Sequence, residues 1–117
     1  MQIAVKRVYD MPDGNDGQRI LVDRLWPRGM TKGKAQLTLW LKEIAPSNEL
    51  RKWFHQDMSQ RQEFERRYRQ ELAGNPEAVA HLQKIIAEGK VTLLYAAHDT
   101  TYNHALFLQK YMQELSA

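Results

Sequence analysis

Residues 91–97 read VTLLYAA, and this heptapeptide decides the fold. It is apolar or aromatic everywhere except Thr92 and is bracketed by Lys90 and His98. A strand with apolar side chains on both faces is buried on both, the pattern of a central strand in a parallel sheet covered by helices. Upstream, RILVDRL at residues 19–25 has the same continuous apolar centre and reads as another strand. The stretch WPRGMTKGK then stops it, because Pro27 has no amide to donate and Gly29 and Gly33 favour turns. Residues 3–9 form a third candidate, with Ile3, Val5, Val8 and Tyr9 set around Lys6 and Arg7. DMPDGNDGQ, residues 10–18, is a turn or loop. Its length leaves the first strand's direction open, since it is able to close an antiparallel pair.

Between residues 36 and 88 the apolar period becomes helical. A short helix is expected over 36–43, ending before Pro46. Ser47 stands where an N-cap belongs, ahead of an apolar face of Leu50, Trp53 and Phe54. Ser59 and Gln62 have capping-box spacing before the stripe Phe64, Tyr68 and Leu72, and Gly74 is placed to end that helix. Asn75 and Pro76 open the next, which runs through Val79, Leu82 and Ile86 to Gly89. A last helix is expected from about residue 101 to 115, on Ala105, Leu108, Met112 and Leu115. The order β, β, several α, β, α predicts a single α/β domain over residues 1–117. It would be a small Rossmann-like domain, with a short, mostly parallel sheet of about three strands packed by about five helices. The strands at 19–25 and 91–97 should be parallel neighbours joined by a right-handed crossover.

The chain has 117 residues, room for one core and no more. Hydrophobic residues at 43% and charged residues at 26% exclude a disordered or fibrous chain. There is no cysteine, which removes disulfides, thiol nucleophiles, iron–sulfur clusters and every zinc site that needs a thiolate. With charges from residue 6 onward the N-terminus does not read as a signal peptide, and no apolar run is long enough to span a bilayer. A cytoplasmic location is expected. The net charge of +3 permits an anionic partner without requiring one.

Two parallel neighbours end on one edge of the sheet, and ligands of open α/β sheets bind at that carboxyl edge. The residues just past the two ends are Asp23, Arg24, Leu25, Trp26, Pro27, Arg28 and, from the later strand, His98, Asp99, Thr100, Thr101, Tyr102, Asn103, His104. Arg24, Arg28, Lys32 and Lys34 put four cations in eleven residues with no acid among them. Such a loop suits a phosphate or carboxylate, which arginine grips with two parallel donors. The alternative pairs Arg24 with Asp23 or Asp99 and leaves the lysines in water. Asp99 or Asp23 beside a histidine could do acid–base work. Capping of the last helix is the competing use of Asp99, and Thr100 or Thr101 would free it. His98, Asp99 and His104 with Asp23 match no metal-site spacing, so no metal is expected. Residues 13–17 resemble a calcium loop in composition only. With no P-loop and no GxGxxG, no cofactor is implied. The arginines at 61, 66, 67 and 69 alternate with Glu63, Glu65 and Glu71, as on a solvated helix face, and His55 and His81 read as surface or core-rim histidines.

LVDRLWPRG (21–29), WLKEIAPS (40–47), LRKWF (50–54) and TLLYAAHDTTYNHA (92–105) resemble, in this order, the YeaO-like branch of the domain-of-unknown-function 488 family. The resemblance covers essentially the whole chain and implies a small Rossmann-like α/β domain with no established activity. Longer relatives end a strand in Asp-x-Arg-x-x-Pro, similar to Asp23, Arg24 and Pro27 with a slight shift. They also carry a Cys-His-Arg cluster near the last helix. The comparable residues here are Tyr102, Asn103, His104 and Ala105, so thiol chemistry does not carry over.

Three functional expectations follow. The first is a small anionic or phosphorylated ligand held by Arg24, Arg28, Asn103 and His104, with Asp23 and Asp99 as candidate catalytic residues. The second is a nucleic-acid-binding module using the basic 24–34 loop. The third is a structural or protein-interaction domain without catalysis, in which the same side chains hold the fold together.

Overall fold

A computed structural model describes residues 2–116. Its strands are β1 (Ile3–Arg7), β2 (Gln18–Leu21), β3 (Leu39–Trp40) and β4 (Val91–Tyr95). The helices are α1 (Lys32–Ala35), α2 (Asn48–Gln56), α3 (Arg61–Ala73), α4 (Pro76–Glu88) and α5 (His104–Leu115). The four strands form one parallel sheet in the order β1-β4-β2-β3. The heptapeptide's strand is thus central, with Leu93 opposite Val5 on one side and Ile20 on the other. All five residues of β4 are buried. β1 is parallel too and lies next to β4, so the loop at 10–18 carries the chain across β4 instead of closing a hairpin.

One expected helix is absent. Residues 36–43 do not form a helix. Gln36 turns left-handed (φ 46°) to close the single turn of α1, and Leu39–Trp40 then adds a fourth strand beside β2. A two-residue strand is too short to show a period, so the apolar spacing around it looks helical in the sequence.

Alternation along the strands gives the sheet two different covers. Ile3, Ile20, Val22, Val91, Leu93 and Tyr95 face the core made with α2 to α5. Leu21, Leu94 and Val8 face the other way, under Ala35, Trp26, Met30, Leu37 and Trp40. This second face is covered mainly by loops and the one-turn α1, not by a full helical layer. Nearer the amino ends of the strands it holds a charged cluster, in which the Asp16 carboxylate takes Arg19 and Lys6 (3.2 Å). Thr92 Oγ1 donates to Asp16 O at 2.7 Å. Burial pushes the Asp16 carboxyl up, but the Asp13 amide and the side chains of Lys6 and Arg19 outweigh it and hold the group below the ordinary value. Gly17 (φ 66°) completes this corner, where a Cβ would strike the Lys90 carbonyl.

Ser47 caps α2 by accepting from Leu50 N, and Gly74 and Gly89 end α3 and α4 as expected. The Ser59–Gln62 box does not form. Ser59 Oγ donates to Asp57 at 2.6 Å, and α3 starts at Arg61 without a side-chain cap. No described helix is long and apolar enough to cross a membrane.

Candidate functional site

The carboxyl ends of β2 and β4 do converge. Val22 N donates to Leu94 O at 3.0 Å, and Asp23 follows immediately. Asp23 Oδ2 accepts from Ala96 N at 3.0 Å, so its side chain continues the ladder after the backbone has left it. Trp40 Nε1 donates to Asp23 O at 2.7 Å, tying β3 to the same point. Asp23 Oδ1 lies 3.2 Å from His104 Nε2 and is otherwise a buried acceptor without a hydrogen bond among the described residues.

His104 is the first residue of α5, and its Nε2 sits 2.9 Å from the Val22 carbonyl. A carbonyl oxygen only accepts, so Nε2 carries the proton and Nδ1 is the nitrogen left over in the neutral ring. The Asp23–His104 pair therefore closes the sheet edge against the start of α5.

Arg24 turns away from both aspartates. Its Nε donates to Pro46 O at 3.1 Å and its Nη2 to Ala45 O at 2.9 Å, fastening the loop ahead of α2. Arg7 does the same across β4, with Nε to Ala97 O at 2.9 Å and an Nη to Ala96 O at 3.1 Å. Asn103, 5% exposed, is the N-cap of α5: Oδ1 accepts from Leu106 N at 3.0 Å and Nδ2 donates to Asp99 O at 3.1 Å. The helix thus begins at His104, about three residues later than the spacing suggests, and the cap is neither Asp99 nor a threonine. Asp99 Oδ1 accepts instead from Thr101 Oγ1 (2.7 Å), Thr101 N (2.9 Å) and Tyr102 N (3.1 Å). These bonds, the Thr101 hydroxyl first, hold its carboxyl below the ordinary range. Arg28 stands apart, exposed at the tip of the turn closed by Met30 N and Pro27 O at 3.3 Å.

Of the six candidate residues, Asp23 and His104 touch, Asp99 and Asn103 touch, and Arg24 and Arg28 point elsewhere. Two shallow clefts flank α3, of about 540 Å³ (Ser47, Trp53, Arg67, Glu71) and about 410 Å³ (Arg24, Ala45, Tyr68, Asn75). Of the six, only Arg24 lines either cleft beside α3. Neither includes Asp23, Asp99 or His104. Among the described residues no three His, Asp or Glu side chains gather as a metal site would need. The clamp of Ser47 by Glu71, whose carboxylate accepts from Ser47 N (2.8 Å) and Oγ (2.6 Å), leaves no signal in the sequence. Neither does the Asp16 cluster. Their partners lie far along the chain or on a face whose alternation is masked by charge.

Fold and site together define a small parallel α/β domain whose carboxyl edge is knit shut by its own polar side chains. The chain belongs to the domain-of-unknown-function 488 family: the family described as the inactive DUF488-N3 subclade matches residues 2–117. It is similar to the uncharacterized protein YeaO of Escherichia coli K12, with 47% identity across 98% of this chain and 100% of that one. It is also similar to the uncharacterized protein Rv3073c of Mycobacterium tuberculosis, with 40% identity across 92% of this chain and 90% of that one. No solved structure matches.

Proposed function

We propose that this chain is a non-catalytic interaction domain, located in the cytoplasm, whose carboxyl-edge side chains serve structure and whose outward basic loop serves binding. One observation carries this reading. The polar groups that a catalyst would aim at a substrate are bonded inward: Asp23 to Ala96 N, Arg24 to Ala45 and Pro46 carbonyls, Asn103 to Leu106 N, and Asp99 to its own turn. A substrate would have to displace several of these bonds before meeting Asp23 or Asn103, and neither cleft beside α3 is lined by Asp23 or Asp99. The word "inactive" in the description of the matching subclade agrees with this.

The rival reading, a small anion held by Arg24 and Arg28, makes an opposite prediction. A ligand at a hundred times its dissociation constant adds about 2.7 kcal/mol to stability, enough to raise the unfolding midpoint by several degrees. Thermal unfolding with inorganic phosphate, sulfate and nucleoside phosphates should leave the midpoint where it is. A rise of that size, abolished by Arg24→Ala, would overturn the non-catalytic reading and return the edge to the role of a ligand site.

A further inference from the structure

The second face of the sheet ends, at the carboxyl edge, in a surface that joins exposed apolar side chains to unpaired cations. Tyr9 is 40% exposed, Met11 two residues further on 83%, and Leu25 57%. The hydroxyl of Tyr9 donates to Arg28 O at 2.7 Å, so the segment leaving β1 meets the segment leaving β2 at the Arg28 turn. Gly29, with φ 75°, gives that turn its shape and lifts Arg28 to its tip. Lys32 and Lys34 follow on α1. All three cations are exposed and none forms a salt bridge among the described residues. The loop that carries them is fixed from beneath: Trp26 Nε1 donates to Met30 O at 2.7 Å, and the Trp26 ring packs edge-on against Trp40 at 5.3 Å.

We propose that this surface docks an acidic segment of a partner protein, one with apolar side chains spaced among its carboxylates. The inference rests on the non-catalytic reading above, since it takes the inward groups of the edge as structure and only the outward ones as contact. Charge complementarity argues for an acidic partner, because no acid stands between Arg24 and Lys34 to neutralise the cations. The uncharged part of the surface argues for a protein over a nucleic acid. Single-stranded nucleic acid stacks its bases on flat aromatic faces, and here the Tyr9 ring is covered by the Arg7 guanidinium at 4.9 Å while Trp26 is held against Trp40. Leu25 and Met11 are aliphatic and offer a base nothing to stack on.

The test is a titration of the isotope-labelled full chain, followed by amide chemical shifts, with three probes. These are a dodecapeptide alternating glutamate and leucine, the same peptide with glutamine for glutamate, and an oligothymidylate. The glutamate peptide should shift residues 9–11 and 25–34, and the glutamine peptide should bind about tenfold more weakly or worse. The triple variant Arg28→Glu, Lys32→Glu, Lys34→Glu should lose binding by a similar factor at an unchanged unfolding midpoint. Raising salt from about 0.01 M to about 1 M should weaken the complex, as the screening length falls from about 30 Å to about 3 Å. Equal binding of the two peptides, no shift at these residues, or tighter binding of the oligothymidylate to the same surface would each overturn the proposal. Should the triple variant fail to fold, the comparison of the two peptides on the unaltered protein still decides. The non-catalytic reading falls on a different result, stabilisation by phosphate that depends on Arg24, so the two failures are told apart.

Discussion

Asp23 shows how a residue that looks catalytic in sequence can be a fastener in the fold. Its carboxylate substitutes for a strand carbonyl at Ala96 N, and its main chain receives Trp40. Removing the side chain strands one amide and leaves His104 without its neighbouring charge. Asp23→Ala should therefore cost about 1–3 kcal/mol, the usual penalty for a buried donor without a partner. In urea this appears as a lower midpoint at an unchanged slope; an unaltered midpoint would mean the bond contributes nothing and would reopen a functional role. Asp16 makes a sharper case because its charge is held in place by burial among cations. Its carboxyl is held below its ordinary value, so its contribution is full above the ordinary carboxylate range and is lost as the pH falls through the depressed value. Asp16→Asn should destabilise the protein at neutral pH by about 3 kcal/mol, the cost of breaking a buried pair. The deficit relative to the parent should shrink as both are taken toward pH 2, and a constant deficit would show that the charge is not what matters.

At the scale of elements, legibility followed length. β4, five residues with every one apolar or buried, was readable at once, and so were α3 and α4 with their terminal glycines. The parallel pairing of β2 with β4 followed from the helices between them. β3 was not readable, because two residues carry no periodicity, and Trp40 looks the same in a helix as in a strand. The start of α5 was hidden for a different reason. Asp99, Thr100, Thr101 and Asn103 all have cap-competent side chains, and only the tertiary position of His104 against Val22 selects Asn103. Asn103→Ala should therefore lower stability by about 1 kcal/mol, while Thr100→Ala should leave it unchanged, as thermal unfolding of the pair would show. The reverse order would move the cap back to where the spacing placed it. On α3 the mixed charges pair locally, as expected: Glu63 takes Arg66 and Arg67, both at 2.6 Å. The two guanidinium hydrogen bonds, Arg66 first, pull the Glu63 carboxyl down from the ordinary 4.5 to about 2. The pairing thus survives at every pH above about 4.5 and is lost only as the pH falls toward 2. Glu63→Gln should leave helix content at neutral pH almost unchanged, since exposed pairs contribute little.

The whole molecule is asymmetric in a way that the carboxyl edge alone does not reveal. One face of the sheet is sealed by four helices and a continuous core that runs from Ile3 to Met112. The other is covered by connections, with four fully buried side chains where the first face has many. Local stability tracks buried apolar contact, so the two covers should open at very different free energies. Amide hydrogen exchange measures this directly. The amides of β4 should exchange only through global unfolding, while those of residues 24–38 should exchange through a local opening several kcal/mol below it. A cover that opens locally without unfolding the core suits a surface that adapts to a partner, and it is the wrong cover for an active site that must hold reacting groups still. Uniform protection across both faces would contradict this division of labour: the loop cover would then be as rigid as the helical one, and the hydrogen bonds of Trp26 and Tyr9 would open only with the global core.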